Sequence, residues 1–375
     1  MNSKALLSPD AFVGIEGITH LCTGGEAPWL KCQDEVYAAF GNLKSGSAEG
    51  RASVFARSEA CRRKVGLLWQ VPAGRVSFVP AAAEAMNWLA RGLDWQVGDN
   101  VVTTNLEFPS VAYAWKNLRA HGVEVRMVPH RDFRVYEEDL LAAVDERTRV
   151  LAVSQVSFYS GQNLDIEALS AVREQDVLLA VDATHASGVL QVPAAATDLC
   201  VSSSYKWMLA THGTAPCYLS EKAEERTAVS CYGWHNLEVW PAQQAERHAD
   251  VAIKSMPEKM EPGNRAMVVV LFLERALDIL LEIGKERIEE HARDLSEQVG
   301  EGLQKLGYGL ISPQDRKSRS GNTCFLVADT SGLQERLAKN QVLVWGDFGR
   351  MRVSGHLYNS STDIERFLEV LAKVG

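Results

Sequence analysis

Between Arg75 and Leu219 the sequence alternates strand-like and helix-like patterns, and that alternation restricts the fold more than any other feature. RVSFVP has the character of a strand and is followed at once by AAAEAMNWLARGL, whose apolar residues recur at helical spacing. NVVTTN, VEVRMVP, RTRVLAVSQV, VLLAVDAT, DLCVSSS and TAPCYLS continue the strand series. Between them SVAYAWKNLRAHG, EEDLLAAVD and DIEALSAVREQ are predicted helices, the first stopped by Gly122. The strands are nearly continuous in apolar residues, as strands covered on both faces must be. The expected fold is α/β, a mainly parallel sheet sandwiched by helices. Ligands of such sheets bind at the carboxyl ends of the strands, which singles out Asp182, closing VLLAVD, and Lys206, following VSSSY.

After Pro262 the pattern changes. RAMVVVLFLERALDILLEIG and KERIEEHARDLSEQVGEGLQKLG are long predicted helices separated near Gly284. TCFLVAD, QVLVWG and RMRVSG are short predicted strands, and STDIERFLEVLAKV is a closing amphipathic helix. A chain of 375 residues suits two domains better than one core. The pattern divides it into an N-terminal segment 1–20, a large domain 21–262 and a smaller α+β domain 263–375.

Composition narrows the function classes. Net charge is −9 and basic residues are not grouped, so no nucleic-acid footprint is expected. The longest apolar stretch, Met267 to Leu273, is too short for a bilayer, and MNSKALLSPDAFVGIEGITH lacks the basic-then-apolar order of a signal peptide. A cytoplasmic protein without membrane contact is expected. Seven cysteines form no CxxC pair and stand in apolar contexts, so reduced, buried thiols are expected. No metal spacing such as HExxH is present.

The chemistry concentrates around Lys206. A lysine beside aromatic residues is commonly a snorkelling surface group. Here three serines and a tyrosine precede it and Trp207-Met208-Leu209 follow. Desolvation at such a strand end disfavours the ammonium form and prepares the amine for Schiff-base chemistry. Asp182 is a carboxylate at the end of a wholly apolar strand, costly to bury without a cationic partner. A protonated pyridine nitrogen would be such a partner, whereas a plain helix cap is the alternative. Ala81, Ala82 and Ala83 open a helix directly after a strand, where small side chains let a phosphate approach the helix N-terminus; three good helix formers would read the same way.

The run VDATHASGVLQVPAAATDLCVSSSYKWMLATHGTAPCYL resembles the class V aminotransferase family of fold-type I pyridoxal enzymes, with its Asp-x-x-(His or Gln) and Ser-x-x-Lys elements in order. The resemblance extends from about Ile18 to Val374 and includes cysteine-desulfurase-like and isopenicillin-N-epimerase-like proteins. It implies a seven-stranded sheet, pyridoxal 5′-phosphate as cofactor, an amino acid substrate and a homodimer. Lys206 matches the Schiff-base lysine, Asp182 the partner of the pyridine nitrogen and His185 the position bonding the ring phenolate. Phe108 matches the residue stacking on the cofactor, and Ala82, Ala83, Ser203 and Tyr205 would surround the phosphate. The loop ending at Asn264 resembles one that reaches the neighbouring subunit's phosphate. Arg352, in RMRVSGHLYNSSTDIE, matches the arginine that holds the substrate carboxylate, with Arg350 the fallback on the same strand face. The aromatic segment Cys231–Trp240 would line a subunit interface, the entrance or loop core.

The family shares one carbanion chemistry among several outcomes. A persulfide-forming desulfurase needs a mobile thiol just before the carboxylate-binding arginine. QVLVWGDFGR contains none, Cys324 stands inside an apolar strand, and Phe158 replaces the Asn common in desulfurases. These departures favour an aminotransferase, with a lyase or epimerase on the same scaffold as the alternative.

Overall fold

The computed structural model describes residues 3–239 and 250–375, so Trp240 of the aromatic segment lies outside the described residues. A seven-stranded sheet forms the centre. Its strands are β2 (Val76–Val79), β3 (Asn100–Thr104), β4 (Glu124–Val128), β5 (Thr148–Ser154), β6 (Leu178–Asp182), β7 (Leu199–Val201) and β8 (Ala215–Leu219). Their order is β2-β8-β7-β6-β5-β3-β4, and every pairing is parallel except the two made by β8. All residues of β2, β3, β6, β7 and β8 are buried, which accounts for their apolar runs, while edge strand β4 is largely open. Alternate residues feed opposite faces. Val101, Val150, Ala152, Leu178 and Ala180 pack with Met86 and Leu89 of α3 (Ala82–Gly92). Val102, Leu151, Val153, Leu179 and Val181 pack with Leu140 of α5 (Glu137–Ala142) and Ile166 of α6 (Ile166–Leu169).

Two predicted helices are broken. SVAYAWKNLRAHG gives only α4 (Pro109–Ala112) and then a 3-10 run, Lys116–His121, ended by Gly122 at φ +76°. DIEALSAVREQ gives α6 and then a 3-10 run, Ser170–Gln175. Trp115 and Leu118 are both buried, as are Leu169 and Val172. A spacing of three stacks such residues in a 3-10 turn.

Helices α1 (Cys32–Ser45) and α2 (Ser47–Trp69) carry no clear sequence signal. Against them packs α8 (Met267–Ile283), whose Leu271 and Phe272 share a core with Val36 and Val54. The apolar helix that follows residue 262 therefore packs with the helices beside the large sheet. The crossing comes with α9 (Lys285–Lys305): Ile288 and Ala292 join the sheet-side core, and Leu295, Val299 and Leu303 a separate one. That C-terminal core covers one face of an antiparallel sheet made of β9 (Asn322–Leu326), β11 (Trp345–Asp347) and β12 (Arg350–Ser354). Around it lie α10 (Thr330–Lys339) and α11 (Ser361–Val374), the latter opened by a capping box of Ser360 and Asp363. The segment 1–20 is tied to the C-terminal part of the chain. Its β1 (Thr19–His20) pairs in parallel with β10 (Val342–Leu343).

The thiols correct a further expectation. Cys61, Cys200, Cys217 and Cys324 are buried, but Cys22 and Cys32 are only half-buried, and Cys231 is exposed on an irregular loop.

Candidate functional site

Three strand ends converge on one small cavity. Asp182 ends β6, Ser154 ends β5 beside it in register, and Lys206 follows β7. The chain around Lys206 is held locally: the Ser204 hydroxyl, with one proton to give, lies 2.8 Å from the carbonyls of both Thr211 and Thr214. Gly188, at φ +95°, lies so close that an added Cβ would be 2.3 Å from the Trp207 carbonyl oxygen. Lys206 is 7% exposed, and burial followed by the charge of Arg352 lowers its pKa to about 8.

His185 lies 3.1 Å from the Lys206 amine through Nε2. Its Nδ1 faces the Asn322 amide nitrogen at 3.2 Å and the Trp207 indole N–H at 3.5 Å. With both donors facing Nδ1, the ring proton resides on Nε2 when the Lys206 amine is neutral and can accept it. Burial first, then the charges of Lys206 and Arg352, hold His185 neutral by pushing its pKa well down. Asp182 is 5% exposed, and one carboxylate oxygen accepts the Thr184 N–H at 2.9 Å. Burial raises its pKa, and among the described residues no ion pair neutralises it.

Phe108 precedes α4 and lies over the cavity, its ring 5.6 Å from the Lys206 amine and edge-on to Phe158 at 5.2 Å. Tyr205 lines the cavity and stacks on His212 at 4.0 Å. Ser203 donates its N–H to Thr184 Oγ1 at 3.0 Å, and both residues line the cavity. Ala82 is the first residue of α3 and also lines it; no side chain caps this helix end. Ala83 follows in the first turn, half-buried and outside the lining.

The C-terminal sheet supplies the remaining groups. Met351 and Val353 of β12 enter the C-terminal core, so Arg350 and Arg352 fall on the opposite face. Arg352 is 4% exposed; Nη1 donates to the Phe158 carbonyl at 3.1 Å, and Nε has no partner. Arg350 is fully buried beside the rings of Tyr159 and Phe158, at 4.4 and 5.4 Å, with Asp347 at 3.0 Å. The turn between β11 and β12 contains just Phe348 and Gly349, at φ +47° and +75°. Asn264 is not brought to the cavity: it is exposed and lines a different cleft with Trp88, Lys259 and Gly263.

The residues present fit a phosphorylated pyridine aldehyde. A carboxylate without a counter-cation suits a pyridinium nitrogen, a lysine near neutrality suits an aldehyde, and an uncapped helix end suits a phosphate. Local sequence gave no warning of Asn322, which orients His185 from 137 residues away. Glu107 was equally silent, though it adjoins Phe108 and its half-buried carboxyl is bonded to Ser154.

A model of the family Aminotransferase class-V matches residues 29–367. The chain is 26% identical to an uncharacterized aminotransferase of Schizosaccharomyces pombe, over 80% of this chain and 76% of that protein. It is 25% identical to a probable cysteine desulfurase of Methanothermobacter thermautotrophicus, over 89% of each. Its fold matches the apo structure of a cysteine desulfurase from Thermococcus onnurineus NA1 with a TM-score of 0.88. That match covers 99% of this chain and 98% of the other at 20% identity, a likeness of fold alone. With the family model spanning most of the sequence, the chain belongs to the class-V aminotransferase family of fold-type I enzymes, and its cofactor is pyridoxal 5′-phosphate.

Proposed function

We propose that this chain is an aminotransferase, exchanging the amino group of a small amino acid, and that it works as a homodimer in the cytoplasm. The observation that carries the reading is the closed hairpin before Arg352. A persulfide relay needs a thiol that can swing, and a two-residue turn of Phe348 and Gly349 offers neither thiol nor reach. Cys324 on the adjoining strand is fully buried, and burial pushes its thiol pKa up.

Bound pyridoxal phosphate supplies an electron sink for charge that develops at the substrate α-carbon. In this reading Asp182 and His185 hold the ring and Phe108 covers it. Ser203, Tyr205 and the α3 N-terminus at Ala82 and Ala83 hold the phosphate, and Asn264 serves the partner's site. Lys206 takes the proton from the α-carbon and returns it, a task for which an amine poised near pH 8 is suited. Arg352 receives the substrate carboxylate, its fork fixed by the Phe158 carbonyl.

The desulfurase names among the relatives favour a second reading, a lyase or epimerase using the same residues. Incubation of the loaded protein with a panel of amino acids separates the two. Transamination leaves pyridoxamine phosphate and a 2-oxo acid; release of sulfide, ammonia or an inverted amino acid with the cofactor unchanged selects the second. Borohydride should fix the cofactor to Lys206, and labelling of a different lysine would refute both.

A further inference from the structure

We propose that Glu107 is a positioning residue that ties the cover of the cofactor site to its floor, linking Phe108 to the Asp182 strand end through Ser154. The inference rests on Lys206 marking a pyridoxal phosphate site. Its geometry comes from where the sheet stops. The pairing of β3 with β5 ends at Val102 and Leu151, so further along β5 the backbone groups facing β3 lack a strand partner. The Gln155 N–H is directed to Asp182 on the β6 side, which leaves the neighbouring Ser154 N–H on the β3 side. Glu107 takes that place. One carboxyl oxygen accepts the Ser154 N–H at 2.6 Å, and the other meets the Ser154 hydroxyl at 2.5 Å.

Three positions are thereby joined. Phe108 follows Glu107 directly, Ser154 is held by it, and Ser154 is in register with Asp182. A loop that needs only an anchor could use any polar side chain that accepts from Ser154. A carboxyl there adds an ionisable group beside Asp182. Burial raises its pKa to about 7, and the Asp182 charge adds to the rise while the two Ser154 bonds oppose it. Asp182 faces it from β6, β5 presents Ser154, which does not titrate, and Lys206 and His185 share the cavity beyond. A cation paired with Asp182 relieves its repulsion of Glu107, so the two carboxyls and the ring nitrogen respond to one another.

The test compares the loaded parent protein with E107Q and E107A. Glutamine can keep both bonds to Ser154 but carries no charge. E107Q should hold pyridoxal phosphate with near-parent affinity, and its visible absorbance should lose a transition near neutral pH that the parent displays. E107A should bind the cofactor about tenfold more weakly. In cofactor-free parent, infrared titration should show a protonated carboxyl band lost near neutral pH and missing from E107Q. Coincident parent and E107Q titrations would overturn the proposal, as would an E107A affinity equal to the parent's. A parent that takes up no pyridoxal phosphate would overturn the cofactor reading along with it. Parent uptake with indifferent Glu107 variants overturns this inference alone.

Discussion

Arg352 and Asp182 pull Lys206 in opposite directions, the guanidinium favouring the neutral amine and the carboxylate the charged one. Burial decides the balance, and the amine titrates near pH 8. Attachment of the cofactor requires the neutral form, so the rate at which cofactor-free protein gains visible absorbance should rise with pH and level off above about 8. Replacing Arg352 by Ala removes a positive neighbour, so the midpoint of that curve should move upward; a downward or absent shift would refute the assignment. The same variant should raise KM for amino acids about 10- to 100-fold, the worth of a charge-assisted pair, while bound-cofactor absorbance persists. Lys206→Ala should lower kcat by about a thousandfold, measured as 2-oxo acid formation. Lys206 and Asp182 were legible because each stands where a run of strand residues ends. Arg352 and His185 were legible only through the family pattern. Asn322 and Glu107 were not, because their partners come from distant segments and neither residue type is unusual in its local context.

At the scale of elements, the strands were easy to recognise because full burial leaves unbroken apolar runs. Helix α2 was hidden for the opposite reason. Its inward face carries Ser58 and Arg62 among Val54, Cys61 and Val65, which interrupts the apolar stripe. Arg62 is buried in a network with Glu59, Glu261 and the Val76 carbonyl, and Arg265 joins Glu261 at 3.1 Å. Glu261 also accepts the Phe78 N–H at 2.8 Å, binding the end of the 258–261 turn to the first sheet strand. Removing this carboxylate leaves two buried guanidinium groups with only the half-exposed Glu59 to balance them. Glu261→Ala should therefore destabilise the protein by about 3 kcal/mol or more, read as a lower urea midpoint. The loop bearing Asn264 should loosen with it, detectable as faster amide exchange at Gly263 and Asn264.

For the whole molecule, buried ionisable groups set how stability follows pH. His20 and His356 are held down at about 4 and 3, and His185 well below its ordinary value, chiefly by burial. Unfolding lets each take up a proton below about pH 6.5, so their stabilising contribution is present above that pH and lost on acidification. Glu107 acts with opposite sign. Its raised pKa favours the folded state at low pH, and that advantage is lost as pH rises from 4.5 toward 7. With His291 also lowered by burial, four depressed histidines stand against the raised carboxyls of Glu26, Asp182 and Glu107, so cofactor-free protein should lose stability between about pH 6.5 and 4.5, by on the order of 1.4 kcal/mol per pH unit for each uncompensated site. His356→Asn should flatten that slope, and thermal midpoints across the range provide the check. The place of α8 was not legible at this scale, because α8 is apolar enough to be buried anywhere and only its packing on α1 and α2 reveals its side.

The pairing of β1 with β10 has a consequence for synthesis. Residues 19 and 20 wait for residues 342 and 343, and the Leu6 and Leu7 N–H groups wait for the Leu357 carbonyl. The central sheet can close while these early residues are still unpaired, but the C-terminal core cannot complete before translation has passed them all. A ribosome stalled just after residue 320 should thus carry a sheet resistant to protease beneath an N-terminal stretch that remains open to cleavage.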